Sequence, residues 1–198
     1  MPKLFTEPAI DLPLLAARTE LNRRAEPTVD WLDYIRNTGI DVPTVRRFAG
    51  VLAVTYCIFY DHRRFDFADP GEREAEPAAV IAALGDDAET VIDLVAWPIA
   101  EPDRFASLFS DVAVLGADRV ANAASYFGGQ HLQLYKTPLR WLQAGCNGAV
   151  VIDPHGGRFV LRRALGPVAG EDIDHARAIQ KLSRLPPGRI LAPVRAVA

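Results

Sequence analysis

The stretch of sequence that decides this fold is HLQLYKTPLRWLQAGCNGAVVIDPHGGRFVLRR, residues 131–163. Alternating apolar residues predict a strand at HLQLYK, and Pro138 begins a short helical pattern that ends at Gly145. The apolar run AVVID predicts a second strand, and PHGG has the composition of a tight turn before a third strand, RFVLRRA. The block therefore predicts a strand, a short helix and a β-hairpin.

The rest of the chain mixes helical and strand patterns. Strands are expected at VLAVTYCIFY (51–60), at 65–67 and at VIDLVAW (91–97), and the final residues have the composition of an edge strand. Helices are expected at 14–24, 28–38, 42–48, 77–84, 103–109, 117–126 and 171–185. Thr28 is a candidate N-cap, and Gly39 a candidate C-terminal residue, of the second helix.

Two apparent hairpins indicate antiparallel pairing and thus an α+β fold. We expect a mixed, mainly antiparallel sheet with helices packed on it and a peripheral N-terminal helical arm. The domain boundaries follow the prolines: residues 1–27 form the arm, 28–185 a single α+β domain, and 186–198 a C-terminal tail.

Length and composition indicate an ordinary globular protein. The chain has 198 residues, of which 49% are hydrophobic and 24% charged. A domain of this size needs no disulfide or metal for stability. Its two cysteines, Cys57 and Cys146, lack CxxC spacing, the N-terminus has no signal-like pattern, and no apolar run could span a bilayer. A cytoplasmic location without membrane contact is therefore expected.

Charge is distributed unevenly along the chain. The formal net charge is −3, but residues 61–120 hold fourteen acids against five basic residues, and residues 158–198 hold eight basic residues against three acids. A basic C-terminal region can attract nucleic acid or another anion, or pair with the acidic middle of the chain. The residues predicted to bind the anion are Arg140, Arg162, Arg163, Arg177, Lys181 and Arg184.

Cys146 is the candidate nucleophile. A catalytic thiolate needs a nearby base and a third group that orients this base, which His155 and Asp153 could supply, with His131 as an alternative base. The sequence Gly145-Cys146-Asn147-Gly148 also has the composition of a left-handed helix exit, where the helix dipole raises a thiol pKa. The histidine at PHGG could likewise belong to a simple turn or to an anion-binding nest.

Nucleotide-binding and hydrolase motifs are missing from the sequence. There is no GxGxxG, P-loop or GxSxG pattern, and no HxH or HExxH spacing. We therefore expect no cofactor and no metal.

One pattern carries a resemblance. Pro138-Leu139-x-Trp141-Leu142-x-Ala144-Gly145-x-x-Gly148, with VIDLVAW upstream and Glu171-Asp172 downstream, resembles short uncharacterised bacterial proteins that often lie in phage-derived or mobile regions. The resemblance covers roughly residues 90–185. It implies no activity and no catalytic residue, but it favours a role around nucleic acid or phage biology.

These observations favour a non-enzymatic binding or assembly module that associates with itself through its arm or apolar edges, or with a protein partner or, weakly, with nucleic acid. The alternative is a small cysteine-dependent hydrolase or transferase that uses Cys146 with His155 or His131.

Overall fold

The structure is a computed structural model that describes residues 11–25, 28–47, 51–61, 63–183 and 190–191. The prediction of an α+β fold is confirmed. The helices are α1 Leu12–Arg24, α2 Val29–Thr38, α3 Val42–Arg47, α4 Ala117–Val120, α5 Pro138–Gln143, α6 Pro154–Leu161 and α7 Ile173–Ser183. The strands are β1 Leu52–Tyr60, β2 Arg64–Ala68, β3 Glu76–Leu84, β4 Val91–Pro98, β5 Ala106–Ser107, β6 Val114–Leu115, β7 Leu132–Tyr135, β8 Ala149–Val151, β9 Val168–Ala169 and β10 Ile190–Leu191.

The first five strands close into a barrel in the order β1-β2-β5-β4-β3. All its pairings are antiparallel except that of β2 with β5. Because side chains alternate along a strand, each barrel wall has two buried faces. The side chains of one face, which include Cys57 and Val80, pack with Leu21 of α1. The side chains of the other face, which include Ile81 and Trp97, pack with α2, α5 and the second sheet.

The second sheet has the strand order β10-β9-β7-β8-β6. Its pairings are parallel except that of β6 with β8. With the mainly antiparallel barrel, the strands of the protein are thus mixed, as predicted. Trp141 of α5 packs on the face toward the barrel, whereas Leu161 of α6 and Ile179 of α7 pack on the opposite face. This arrangement of helices on both faces is typical of a doubly wound α/β unit.

The hairpin predicted at PHGG is wrong, because this segment begins helix α6. The Asp153 carboxylate accepts hydrogen bonds from the backbone N–H groups of His155 and Gly156, at 3.0 and 2.6 Å, and Pro154 occupies the first turn. A Cβ added at Gly156 would lie 2.7 Å from that of Ala113. The glycines therefore allow the helix to pack closely on the sheet rather than form a turn.

Two predicted helices in the barrel region are also wrong. Residues 77–84 lie in β3, which pairs with β1 on one side and β4 on the other, and its side chains enter both buried clusters. Burial on both faces outweighs the helix propensity of its alanines. The predicted helix at 103–109 is an irregular segment that contains only the short strand β5.

Several local predictions are confirmed. The Thr28 hydroxyl accepts the N–H of Trp31, and Gly39 ends α2 with a φ of 71°. The strands at 51–60 and 91–97 and the final helix are present, and β10 pairs in parallel with β9 at the sheet edge. In the described residues, no helix is long and apolar enough to cross a membrane.

Candidate functional site

A cleft of about 650 Å³ opens between α6 and α7, beside the turn that joins β1 to β2. Among the residues that the structure describes, its polar lining is basic or aromatic without a carboxylate, and its floor is apolar. The basic and imidazole side chains are Arg63, His155, Arg158, His175 and Lys181. The apolar residues include Phe105, Val151, Pro154 and Ile179. In a protein with a net charge of −3, this is a local concentration of positive charge.

Arg63 joins the barrel to the second sheet at the mouth of the cleft. Its backbone has a φ of 60°, in the left-handed region that a non-glycine residue seldom adopts. Its guanidinium Nη1 donates a hydrogen bond of 2.9 Å to the carbonyl of Ile152, at the carboxyl end of β8. The side chain is thus held against the start of α6 by the fold itself.

His175 lies in the first turn of α7 and presents a neutral ring. Its Nδ1 accepts the backbone N–H of Glu171 at 3.2 Å, which places the ring proton on Nε2. Burial lowers the pKa of this imidazole, and Lys136 lowers it further, while Glu171 and Asp172 oppose the shift. His175 therefore offers the cleft one N–H donor at neutral pH.

Arg158 contacts an aromatic ring rather than a carboxylate. Its guanidinium carbon lies 4.5 Å from the centre of the Phe159 ring. Among the described residues its Nε is buried without a hydrogen-bond partner. A reorientation of this guanidinium toward an anion therefore breaks no hydrogen bond at Nε.

The topological switch point of the second sheet, between β7 and β9, is closed by internal pairing. Ligands of open α/β sheets commonly bind at the carboxyl ends of such strands. Here Lys136 Nζ lies 2.5 Å from an Asp172 carboxylate oxygen, and the Lys136 backbone N–H donates to Glu171 at 2.7 Å. The positively charged cleft lies beyond this ion pair, on the side of α6 and α7.

The predicted basic residues do not all lie on one surface. Lys181 lines the cleft, and Arg162 lies near it at the end of α6, 5.8 Å from the Phe159 ring. Arg163 pairs with Asp86 at 2.6 Å, and Arg177 pairs with Asp174 at 3.2 Å. Arg140 belongs to α5, on the opposite face of the sheet. Arg184 lies outside the described residues.

The candidate catalytic residues occupy separate places. Cys146 follows α5 with a φ of 58° and is 2% exposed, as expected of a left-handed helix exit. It lines a small cavity beside Arg47 and Trp141. His155 lines the basic cleft, and His131 lines a third, polar cleft of about 390 Å³ beside Tyr135. Asp153 caps α6 rather than orienting an imidazole.

Burial makes the Cys146 thiol unreactive in the folded protein. It raises the thiol pKa to about 12, so almost no thiolate is present at neutral pH. Cys57, which is fully buried, has a pKa raised to about 12 by the same cause. Within the described residues, no group of three or more His, Cys, Asp and Glu side chains is placed to hold a metal ion.

We expect neither cysteine to react with a thiol reagent in the native protein. Titration with a chromogenic disulfide at pH 8 should detect no rapid reaction before denaturant is added and both thiols afterwards. A matched variant, Cys57→Ala, keeps Cys146 alone and should behave in the same way. Rapid native-state labelling of Cys146 in this variant would contradict the prediction and favour the cysteine-dependent alternative.

The basic cleft could be recognised only in part from the sequence. The sequence predicts His155 and Lys181 as site residues. It does not predict Arg158, because the segment that contains this residue has a strand-like pattern. The Asp-Pro pair at 153–154 is the signal that indicates a helix start there. Comparisons of the chain with protein-family models, curated proteins and solved structures found no match.

Proposed function

We propose that this protein is a binding module whose ligand is a phosphate-bearing anion held in the cleft between α6 and α7. The proposal rests on the composition of the cleft: three cations and two imidazoles line it together with an apolar floor, and none of its described lining residues is an acid. An apolar floor strengthens the attraction between these cations and an anion, because it lowers the local dielectric constant.

The presence or absence of ion pairs at the individual cations supports this proposal. No ion pair within the described residues involves Arg158 or Lys181, whereas Arg163, Arg177 and Lys136 are each paired with an aspartate. A cation that already has a partner must lose it before it binds a ligand, and an unpaired one need not. Arg158 and Lys181 can therefore bind an anion without the loss of an ion pair seen in the described residues.

The cysteine-dependent alternative has less support. Its nucleophile is buried with a raised pKa, and its two candidate bases line other cavities. Two free, buried thiols are consistent with a cytoplasmic location, which we propose for the protein. Self-association through the N-terminal helix and a link to mobile elements stay predictions.

Calorimetric titration with sodium tripolyphosphate tests the anion-binding proposal. We expect binding that weakens as the salt concentration rises, since charge attraction dominates it. Arg158→Gln and Lys181→Gln should each weaken binding about tenfold or more, the value of a hydrogen bond to a charged group.

Arg140→Gln is the matched control, because it removes the same charge from the opposite face of the sheet. It should leave the affinity for tripolyphosphate unchanged. If the Arg158→Gln, Lys181→Gln double variant binds tripolyphosphate as the wild type does, or if the wild type does not bind at low salt, the proposal is wrong.

A further inference from the structure

We propose that the anion is the backbone of a single-stranded nucleic acid, one of whose bases stacks on Phe159. This inference rests on the proposed function of the cleft. Phe159 lies on α6 and is 51% exposed, although an aromatic ring of this size gains most by burial. An exposed ring at the rim of a basic cleft is a stacking platform of the kind that single-strand binding proteins use.

The surroundings of the ring match the alternation of phosphates and bases along a strand. His155 and Arg158, which both line the cleft, contact the ring at 6.0 and 4.5 Å between centres. Arg162, outside the lining of the cleft, lies 5.8 Å from the ring centre. Both guanidinium groups lie over the Phe159 ring in this structure, so a base stacks on the ring when an arginine turns from the ring to hold a neighbouring phosphate.

The spacing along the helix is suited to a short segment of strand. His155, Phe159 and Arg162 are at positions i, i+4 and i+7 of α6 and therefore share one face. At a rise of 1.5 Å per residue this row is about 10 Å long. Two to three nucleotides cover about this length, at 3.4 Å or more between successive charges of one strand.

A single strand fits this surface better than a duplex does. A paired base presents only its edge to a protein, whereas an unpaired base can offer its face to an aromatic ring. A duplex also needs a broad basic surface, but two further basic residues, Arg163 after α6 and Arg177 of α7, are paired with Asp86 and Asp174.

Fluorescence anisotropy with a labelled oligothymidylate of about 12 nucleotides tests this inference, a length within the site sizes of single-strand binding folds. Phe159→Ala should weaken binding about 5- to 100-fold, the effect of losing one stacked base. Phe159→Trp should restore the affinity, because it keeps an aromatic face. The side chain is exposed, so neither change should impair folding.

Salt dependence separates stacking from charge. Arg158→Gln and Arg162→Gln should each reduce the slope of log affinity against log salt by about 0.7, the value for one phosphate contact of a single strand. Phe159→Ala should leave this slope unchanged, and Arg140→Gln should change neither slope nor affinity.

The outcomes distinguish this inference from the proposed function. If tripolyphosphate binds in the cleft but Phe159→Ala binds the oligonucleotide as the wild type does, stacking is wrong and anion binding stands. A duplex of the same length that binds more tightly than the single strand also overturns the inference. If neither tripolyphosphate nor the oligonucleotide binds at low salt, both proposals are wrong.

Discussion

Replacing Asp93 by alanine is expected to lower the free energy of unfolding by about 3 to 5 kcal/mol, the cost of leaving several buried donors unpaired. Asp93 lies in β4 and is fully buried. One carboxylate oxygen accepts the N–H groups of Leu94 and Phe109 at 2.7 and 3.0 Å, and the other accepts those of Asp111 and Val112 at 2.8 and 3.2 Å. The side chain thus ties the segment before β6 to the barrel.

Asp93→Asn tests whether the carboxylate itself is required. An asparagine has the same shape, but its NH₂ group would face a backbone N–H and could not accept a hydrogen bond from it. We therefore expect a loss of about 2 to 4 kcal/mol, measured by urea denaturation. Asp103→Asn, the same change at an exposed position, should stay within about 0.5 kcal/mol of the wild type. Equal stabilities of the two variants would show that the Asp93 carboxylate is not needed.

Asp93 also shows which part of a buried polar site can be predicted from the sequence and which part cannot. An acid in the middle of VIDLVAW departs from the pattern of a buried strand, and this departure is visible in the sequence. Its partner Phe109 is not visible there, because this residue lies in a segment with helical spacing at Phe105, Leu108 and Phe109. That spacing does not produce a helix here, and the Asp93 carboxylate instead binds the N–H of Phe109.

Elements with local signals were predictable, and elements decided by distant contacts were not. The caps at Thr28 and Gly39 act within their own helix, so sequence alone identifies them. Strand β3 has the alanine content of a helix and becomes a strand because β1 and β4 flank it. At residues 153–157, glycines that suggest a turn serve instead for close packing of α6.

The candidate cleft could not be predicted from the sequence, because contacts between distant segments form it. Its basic and imidazole residues are Arg63, which follows β1, and side chains of α6 and α7, and only the fold brings Arg63 near His155 and Lys181. The sequence does carry the basic composition of the C-terminal region. It does not show that Arg163 is paired, since its partner Asp86 belongs to the distant β3–β4 turn. The pairing of Arg177 with Asp174 is different, because the two residues are three apart on the predicted final helix.

Gly148→Ala is expected to cost about 4 kcal/mol of unfolding free energy, since it combines backbone strain with overpacking. Gly148 has a φ of 136° and precedes β8. A Cβ at this position would lie 2.2 Å from the backbone oxygen of Gln133 and 2.9 Å from the Tyr135 ring. Neither can yield easily, because both belong to the neighbouring strand β7, so the two strands must separate.

Gly145→Ala is the matched control for this strain. Gly145 belongs to the same helix exit and has a φ of 68°, but of the atoms in the described ranges a Cβ there would meet only the Thr44 hydroxyl, at an ordinary 3.6 Å. Only the left-handed backbone is then penalised, by about 1 to 2 kcal/mol. Urea denaturation measures the unfolding free energy of both variants. A much larger loss of this free energy in Gly148→Ala than in Gly145→Ala shows that the close approach of β7 and β8 requires glycine at residue 148. Equal losses would show that backbone angle alone selects it, and that β7 can move away from β8 at little cost.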